Sequence, residues 1–276
     1  MANNNFIKFR DNSTIICPKC SSILHLDNRS LVCNNGHCFD IAKQGYVNLL
    51  LNNPKSENYS KSSFENRRLV LDGGVYENIL REIVKYIRDY PSFKNILDAG
   101  CGEGYYSLKI SDMVDCNLYA FDISKESVSL AGKSDTDNHV KWFVSDLSNI
   151  SVSDSSIDLI LDIFSPANYS EFRRILKSNG RVLKVVPGEL HLVEIRDRVR
   201  SQLKNSDYSN DRVIDCFSDS FEIEKRKRVT YTLEISKDIL NAILSMTPIL
   251  FNIDTSKIDW SDLNKITIDA EILIGK

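Results

Sequence analysis

The sequence has no long apolar run and contains little glycine or proline, and these absences exclude several classes of protein. No stretch approaches the roughly 18 uninterrupted apolar residues that a membrane-spanning helix requires. The 11 glycines and 6 prolines among 276 residues are too few for a collagen-like or disordered chain. With 42% hydrophobic and 26% charged residues the composition is that of a globular protein. A chain of this length builds a sizeable core without disulfide support.

The N-terminal segment has neither an apolar core nor a small-residue cleavage site, so we expect that the protein is not secreted. We therefore expect a cytoplasmic protein without membrane attachment. In an unsecreted chain, seven cysteines favour metal binding or catalysis over disulfides. Four of the seven cysteines and two of the four histidines lie between residues 12 and 50.

The sequence also has no excess of positive charge, and the net charge of −3 argues against a surface coated in basic residues. The charge is uneven, however: residues 1–70 carry nine Lys and Arg against five Asp and Glu. This part is the better candidate to meet a polyanion. The candidates for phosphate contacts are Lys19, Arg29, Lys43, Lys55, Lys61, Arg67 and Arg68. The basic run Lys225–Arg228 is either a further candidate or an ordinary solvated face.

From residue 64 onward, segments whose apolar residues have the spacing of a strand alternate with segments whose apolar residues have the spacing of a helix. Strands are predicted over 95–100, 117–122, 141–146, 157–164, 180–186, 225–235 and 265–275, the last two antiparallel. Helices are predicted over 64–74, 75–90, 105–114, 124–133, 168–180 and 238–246. Alternation of helices with nearly continuous apolar strands predicts a parallel sheet covered on both faces. A polar stretch over 52–63 predicts a linker.

Two short turns near the N-terminus carry ligands that are typical of zinc. Cys17-Pro-Lys-Cys20 is followed after twelve residues by Cys33-Asn-Asn-Gly-His37. Each turn offers two ligands, and together they complete a tetrahedral set with no open position, as in a structural site. Cys38 is the alternative to His37, and His25 is a weaker candidate. The competing interpretation is a set of reduced core cysteines or a redox pair.

A glycine-rich turn follows the first strand predicted for the parallel sheet. The segment Asp98-Ala-Gly-Cys-Gly-Glu-Gly104 has three glycines in five positions, which lets the backbone approach a ligand closely at a helix N-terminus. Asp122 ends the next predicted strand, where it is placed to accept hydrogen bonds from ribose hydroxyls. The pattern predicts a nucleoside-binding turn.

The acidic residues of this turn distinguish two kinds of cofactor. A nicotinamide enzyme prefers Gly-x-Gly-x-x-Gly and leaves a helix N-terminus free for pyrophosphate, whereas acids repel phosphate and suit a cationic sulfonium amino acid. The turn resembles motif I of the class I S-adenosylmethionine-dependent methyltransferases. That resemblance implies cofactor contacts at Asp98, Gly100, Gly102, Glu103 and Asp122. It also implies a contact between Asp146 and the adenine amine, with a helix N-cap as the alternative role of Asp146.

The order of the motifs is similar to that of the 23S ribosomal RNA guanine-N1 methyltransferases, a family that includes enzymes linked to macrolide resistance. The zinc turns, the segment His37–Leu50, the glycine-rich turn and Pro187-Gly-Glu-Leu-His-Leu192 follow one another in the same order. The resemblance covers residue 17 to about residue 195 and is diffuse beyond. It implies zinc on Cys17, Cys20, Cys33 and His37, and further S-adenosylmethionine contacts at Tyr76 and His191.

The fold that this resemblance implies is a Rossmann-like α/β methyltransferase with a mainly parallel seven-stranded sheet and a small N-terminal zinc-binding domain. We expect a zinc-binding RNA-recognition domain over 1–50, a linker and connecting helix over 51–75, and the methyltransferase domain over 76–276.

Methylation of guanine N1 sets two requirements. N1 carries a proton and is a poor nucleophile while neutral, so that proton must be removed or shared. Asp162, at the end of the fourth predicted strand, is the candidate base, and a structurally hydrogen-bonded acid is its alternative role. Phe164, Pro166 and Tyr169 follow it and either stack a base or belong to the core. Because N1 lies on the Watson–Crick edge, the target must be unpaired, as in a hairpin loop of 23S rRNA.

Two rival functions remain at this stage. One is a small-molecule methyltransferase that uses the zinc turns as a scaffold. The other is a non-enzymatic RNA-binding protein with a degenerate cofactor fold. A homodimer is also possible, since it would present two basic patches.

Overall fold

The computed structural model describes residues 5–51, 61–203, 209–251 and 253–276, to which the following statements refer. Most of the predicted linker, with Lys55, lies outside the described residues. The chain divides into two compact units. The first comprises Met1–Asn58, Val84–Lys184 and Lys276, and the second comprises Tyr59–Ile83 and Val185–Gly275.

The first unit contains a small antiparallel sheet and a larger, mainly parallel one. The small sheet has the order β1 (His25–Asp27), β2 (Ser30–Val32), β3 (Cys38–Asp40). The strands of the larger sheet are β4 (Tyr46–Asn48), β5 (Asn95–Ala99), β6 (Asn117–Asp122), β7 (Val140–Val144), β8 (Ile157–Ile163) and β9 (Leu176–Pro187). Their order is β9-β8-β5-β6-β7-β4, and β4, β5, β6, β7 and β8 pair in parallel. The last three residues of β9 belong to the second unit.

The strands of the parallel sheet are largely apolar because both faces are buried. In β7, Trp142, Phe143 and Val144 are completely buried, and in β5 so are Ile96 and Leu97. The carboxyl ends of these strands meet at one edge, which is where ligands bind in open α/β sheets.

Eight helices are described. They are α1 (Lys61–Asp72), α2 (Glu77–Asp89), α3 (Tyr105–Met113), α4 (Lys125–Ser134), α5 (Tyr169–Ile175), α6 (Val193–Val199), α7 (Asp211–Ser218) and α8 (Lys237–Met246). Side-chain oxygens cap three of them, since Ser124, Asn168 and Ser236 accept hydrogen bonds from the backbone three residues on. No helix in the described part of the chain is long and apolar enough to cross a membrane.

The second unit is built on a long antiparallel pair. β10 (Ile223–Glu234) pairs with β11 (Lys265–Gly275) along its whole length. Every residue of β11 after Lys265 is buried, whereas β10 alternates between more and less exposed positions. Helix α1 packs against α8, and the Tyr231 hydroxyl donates to the Val75 carbonyl at 2.7 Å.

The Rossmann-like fold is confirmed, with differences in detail. All seven predicted strands are present, but outside the small sheet the described residues form eight strands, because β4 was not predicted. The helix predicted over 168–180 is too long: α5 ends at Ile175, and the next residues begin β9. Lys177 holds this early part of β9 to β8 through an ion pair with Asp158 at 2.9 Å. Helices α6 and α7 were not predicted.

Candidate active site and metal centre

The four predicted zinc ligands lie together in the first unit. The Sγ atoms of Cys17, Cys20 and Cys33 and a ring nitrogen of His37 all lie within 4.8 Å of one another. His37 Nδ1 is 3.4 Å from both Cys17 Sγ and Cys33 Sγ, and Cys20 Sγ is 3.6 Å from Cys33 Sγ. Zinc bonds of about 2.0 Å to nitrogen and 2.3 Å to sulfur give tetrahedral edges of roughly 3.5 to 3.8 Å. The donor set therefore fits one zinc ion.

Backbone hydrogen bonds close both ligand turns. The Cys17 amide donates a hydrogen bond to the Ser22 carbonyl at 2.8 Å, and the Cys33 amide donates one to the His37 carbonyl at 3.0 Å. A hydrogen bond with the Ser22 backbone is the main cause that lowers the pKa of the Cys20 thiol to about 5, which favours the thiolate that zinc requires. Cys38, the alternative ligand, is exposed and lies outside the cluster. Four protein donors fill a tetrahedron, as in a structural site.

A buried ion pair joins the N-terminal segment to the parallel sheet. Lys8 Nζ lies 2.9 Å from Asp135 Oδ2, and both side chains are 3% exposed. The same oxygen accepts a hydrogen bond from Trp142 Nε1 at 2.9 Å. The Trp142 ring in turn lies so close to Gly104 that a Cβ atom there would be 2.6 Å away. A continuous set of contacts thus links the N-terminal segment to the glycine-rich turn.

The glycine-rich turn, residues 98–104 and hereafter the cofactor turn, joins β5 to α3. Gly100 and Gly104 have φ angles of 76° and 83°, which side chains rarely adopt. Close approach also requires glycine at position 100, since a Cβ atom there would lie 2.0 Å from Ser165 Oγ. The sequence pattern therefore reflects real backbone geometry at the carboxyl edge of the sheet.

The acids of the cofactor turn are held in place by hydrogen bonds. Asp98 is 2% exposed and accepts a hydrogen bond from Ser107 Oγ at 2.6 Å. The two oxygens of Asp122 accept from the Gly102 amide at 3.0 Å and the Ser124 amide at 2.8 Å. Glu103 is also buried. Fixed carboxylates beside an open backbone turn fit an ammonium group and ribose hydroxyls, as S-adenosylmethionine requires.

Asp146 follows β7, as predicted, but the helix N-cap alternative for it is wrong. The described residues 145–150 form a turn with an isolated bridge. Asp146 Oδ1 accepts a hydrogen bond from the Ser148 amide at 2.8 Å, which is the geometry of an Asx turn. The carboxylate is half-buried, and its adenine contact stays a prediction.

In the second unit, Tyr76 and His191 lie side by side. The Tyr76 hydroxyl is 3.4 Å from His191 Nε2. Burial raises the pKa of Tyr76 to about 12 and, with the nearby charge of Arg196, lowers the pKa of His191 to about 4. His191 is therefore neutral at pH 7. Its Nδ1 accepts from the Asp269 amide at 3.4 Å, so the ring proton lies on Nε2 and points to Tyr76.

Asp269, which the sequence did not single out, organises the loop that carries His191. Its carboxylate is completely buried and accepts hydrogen bonds from Arg228 at 2.9 and 2.7 Å, Thr230 at 2.6 Å and the Leu190 amide at 2.8 Å. Burial acts to raise its pKa, but the hydrogen bonds together outweigh burial, and the pKa falls to about 2. A Cβ atom at Gly188 would lie 2.3 Å from Asp269, so glycine is required there.

Asp162, the predicted base, is completely buried at the end of β8. Its Oδ2 is 2.6 Å from Lys184 Nζ on β9. Burial raises the pKa of Asp162 to about 7, helped by the charge of Asp98 and opposed by Lys184. Lys184 was missed, although a lysine inside the apolar run Val182–Val186 was a visible signal.

The predicted phosphate-binding side chains differ in their surroundings. Lys19, Arg29 and Lys43 are exposed in the first unit. The run at 225–228 instead forms ion pairs within the second unit, as Arg226 pairs with Glu271, Lys227 with Glu82 and Arg228 with Asp269. Three of the four basic side chains of the run therefore have acidic partners within the unit, and a phosphate contact by the run stays a prediction.

Comparisons with known proteins match both the zinc-binding segment and the segment that contains the cofactor turn. A zinc-ribbon family described as "RlmA, N-terminal" matches residues 15–57, and one described as "Methyltransferase domain" matches residues 96–185. The "Putative 23S rRNA (guanine-N(1)-)-methyltransferase YxjB" of Bacillus subtilis (strain 168) is 31% identical over 96% of this chain and 98% of its own. The "23S rRNA (guanine(748)-N(1))-methyltransferase" of Streptomyces fradiae is 29% identical over 84% of each chain.

The cofactor turn and the Cys3His cluster, with these matches, define the class: an S-adenosylmethionine-dependent methyltransferase with an N-terminal zinc ribbon. Relatedness over nearly the whole length then identifies the group within that class. The chain belongs to the 23S rRNA (guanine-N1)-methyltransferase family, which confirms the resemblance found in the sequence.

Proposed function

We propose that this protein transfers a methyl group from S-adenosylmethionine to N1 of an unpaired guanine in 23S rRNA. The observation that carries the proposal is the 31% identity to the B. subtilis relative over 96% of the chain, zinc ribbon and cofactor turn included. A small-molecule enzyme that merely shared the methyltransferase fold would not be expected to match through the ribbon as well.

The residues divide into a metal-binding set and a cofactor-binding set. Structural zinc is held by Cys17, Cys20, Cys33 and His37. The cofactor is bound by the acids and glycines of the cofactor turn and by side chains elsewhere, namely Asp98, Gly100, Gly102, Glu103, Asp122, Asp146, Tyr76 and His191. S-adenosylmethionine supplies a methyl group on a sulfonium, whose positive charge suits this acidic surrounding.

The reaction requires alignment and loss of one proton. S-adenosylmethionine held at the cofactor turn would supply the methyl group and retain the electron pair of its methyl–sulfur bond, and guanine N1 would have to lose its proton as it accepts the methyl group. Holding N1 in line with the methyl group supplies much of the rate. Asp162 as the base stays a prediction, and its complete burial and its pairing with Lys184 favour a different role.

The finer parts of the proposal concern the RNA. Guanine N1 is accessible only in an unpaired or flipped nucleotide, so a hairpin loop is the expected target. The exposed side chains of Lys19, Arg29 and Lys43 would contact phosphates. We also propose a cytoplasmic location and include a homodimer as an expectation to be tested.

The experiment is methyl transfer from labelled S-adenosylmethionine to naked 23S rRNA, followed by primer extension, since N1-methylguanine blocks reverse transcription. Label in RNA with a stop at a single guanine is expected. Asp122→Asn should lower cofactor affinity. Label in a small molecule but none in RNA would contradict the proposal in favour of the rival methyltransferase, and absence of cofactor binding would favour the non-enzymatic one.

RNA binding is tested by removing the three exposed cations of the zinc segment. The triple variant Lys19→Ala, Arg29→Ala, Lys43→Ala should weaken RNA binding and reduce the slope of log affinity against log salt by about 2 to 3. Lys85→Ala with Lys109→Ala and Lys133→Ala, three exposed lysines on α2, α3 and α4, is the matched control. Equal effects of both variants would contradict a role for the zinc segment. Sedimentation of the free protein tests the homodimer.

A further inference from the structure

A buried ion pair lies beneath the turn that follows β8. Lys184 Nζ donates to Asp162 Oδ2 at 2.6 Å and to the Ser165 carbonyl at 3.3 Å. The two charged side chains are 4% and 0% exposed. Within the described residues Asp162 Oδ1 has no hydrogen-bond partner. A buried pair of this kind is weak evidence of stabilisation, because desolvation of both charges offsets their attraction.

The turn itself, residues 164–166 and hereafter the β8 turn, has a strained backbone. Phe164 has φ of 53°, a conformation that bulky side chains rarely adopt. Such a residue keeps its conformation only where its surroundings hold it. Lys184 bonds to Asp162, two residues before Phe164, and to Ser165, the residue after it. The lysine therefore ties together the two sides of the strained position.

The β8 turn lies directly against the cofactor turn. Ser165 Oγ occupies the space that a Cβ atom on Gly100 would need, at 2.0 Å. The strands that carry the two turns are parallel neighbours, with Asp98 opposite Leu161. A displacement of the β8 turn would therefore change its contact with Gly100 or the position of a substrate bound over the cofactor turn.

We propose that Lys184 and Asp162 are positioning residues, whose ion pair holds the β8 turn so that the half-buried Phe164 ring supports the target guanine beside the cofactor turn. The inference rests on the proposed function. Unpaired bases stack on aromatic rings of this kind, and alignment of the base with the methyl group depends on where that ring is held. Lys184 acts through the turn and touches no reacting atom.

The first test asks whether the pair holds the turn, without using activity. In Lys184→Met, hydrogen–deuterium exchange of the amides of Leu161, Asp162 and Ile163, at the end of β8 directly before the turn, should become at least about tenfold faster than in the parent. The matched control is Lys177→Met, which removes an ion pair to Asp158 between the same two strands and should leave these amides unchanged. Unchanged exchange in Lys184→Met would overturn the inference. Should that variant fold poorly, the neutral pair Asp162→Asn with Lys184→Met replaces it.

The second test separates positioning from proton transfer. Lys184→Met should lower kcat for RNA methylation about tenfold or more, while calorimetric cofactor affinity stays within about threefold. Asp162→Asn removes the ion pair but keeps an acceptor for Lys184, so kcat should fall by less than in Lys184→Met. A general base contributes about a hundredfold or more, so a loss of that size in Asp162→Asn with normal amide exchange would assign Asp162 as the base and overturn the inference.

The outcomes also separate this inference from the proposed function. If the parent protein methylates no RNA, the proposed function fails, and the positioning role fails with it even where amide exchange shows that the pair holds the turn. If the parent methylates RNA but Lys184→Met retains full kcat, only the positioning role is overturned.

Discussion

The turn after β8 and the loop at 187–192 each depend on a completely buried aspartate. The pKa values of these two aspartates are shifted in opposite directions. Asp269 accepts four hydrogen bonds, two of them from Arg228, and its pKa falls to about 2. Asp162 pairs with a single lysine, and burial raises its pKa to about 7. Burial alone therefore does not set the charge state, because the number and kind of donors decide it.

The comparison also separates two uses of a buried charge. Asp269 satisfies a backbone amide, a hydroxyl and a guanidinium at once, so it holds the 187–192 loop by hydrogen bonds that an apolar residue cannot replace. Among the described residues Asp162 has one partner, Lys184, and the net contribution of this ion pair to the free energy of unfolding is expected to be small.

The largest effect is expected from removing Asp269. Asp269→Leu leaves the Leu190 amide, Thr230 and Arg228 without their acceptor, which should lower the free energy of unfolding by about 3 to 5 kcal/mol. Urea denaturation measures the change. Glu271→Gln, which weakens a pair with the more exposed Arg226 on the same strands, is the control and should cost under about 1 kcal/mol. A loss of similar size in both variants would remove the distinction.

The pH dependence of stability should show both aspartates with opposite sign. The pKa of Asp269 drops from 3.8 to about 2 on folding, so its stabilisation is present above pH 4 and is lost as the pH falls through about 2. The pKa of Asp162 rises from 3.8 to about 7, so stability declines as the pH rises from about 4 towards 7.

Urea denaturation across this pH range tests the assignment with two conservative variants. Asp162→Asn should flatten the decline between about pH 4 and 7 only, and Asp269→Asn should flatten the loss below pH 4 only. If the free energy of unfolding of Asp162→Asn still declines between about pH 4 and 7, the assignment of a raised pKa to Asp162 is wrong.

A smaller effect is expected from changing the donor to Asp269 while keeping its charge. Arg228→Lys replaces two parallel hydrogen bonds by one, which should cost about 1 kcal/mol in the free energy of unfolding. Lys227→Arg, beside it on β10, keeps its single pair with Glu82 and should have no measurable effect. A loss of several kcal/mol in Arg228→Lys would show that Arg228 geometry, and not the whole network, holds the loop.

The smallest effect is expected where the other aspartate is replaced together with its partner. Asp162→Leu with Lys184→Met removes both buried charges and should not lower the free energy of unfolding at pH 7 by more than about 1 kcal/mol. Equal stability with reduced kcat would sharpen the contrast with Asp269. Destabilisation comparable to that of Asp269→Leu would erase it.

Local patterns predicted those parts of the molecule whose determinants are close in sequence. The zinc ligands sit in two short turns, and the three glycines and Asp98 form one segment, so spacing alone indicated both sites. The strands β5, β6, β7 and β8 were equally visible, because buried parallel strands are continuous apolar runs. The boundary between α5 and β9 was not, since Leu176–Gly180 has no strong preference and is fixed by pairing such as that of Lys177 with Asp158.

The hydrogen-bond networks of Asp269 and Asp162 show why other parts of the site could not be predicted from the sequence. Asp269 is hydrogen-bonded to Leu190, which is 79 residues away in sequence, and to Arg228, which is 41 residues away. Local sequence periodicity does not reveal partners at such separations. An acid inside the apolar run of β11 was a signal that something buried must pair with it, but the sequence did not identify Arg228. Asp162 was selected as a strand-end acid, while its burial and its lysine partner depend on the folded sheet.

The pairing of β4 with β7 has a practical consequence for dissecting the protein. Tyr46, Val47 and Asn48 lie opposite Trp142, Phe143 and Val144, so the metal-binding region covers the outer edge of the parallel sheet. A polypeptide that starts at residue 51 would expose the backbone donors and acceptors of β7, an edge strand with two aromatic residues, which invites self-association. Truncation should therefore produce aggregates, and the isolated C-terminal fragment is the wrong material for measuring what the ribbon contributes.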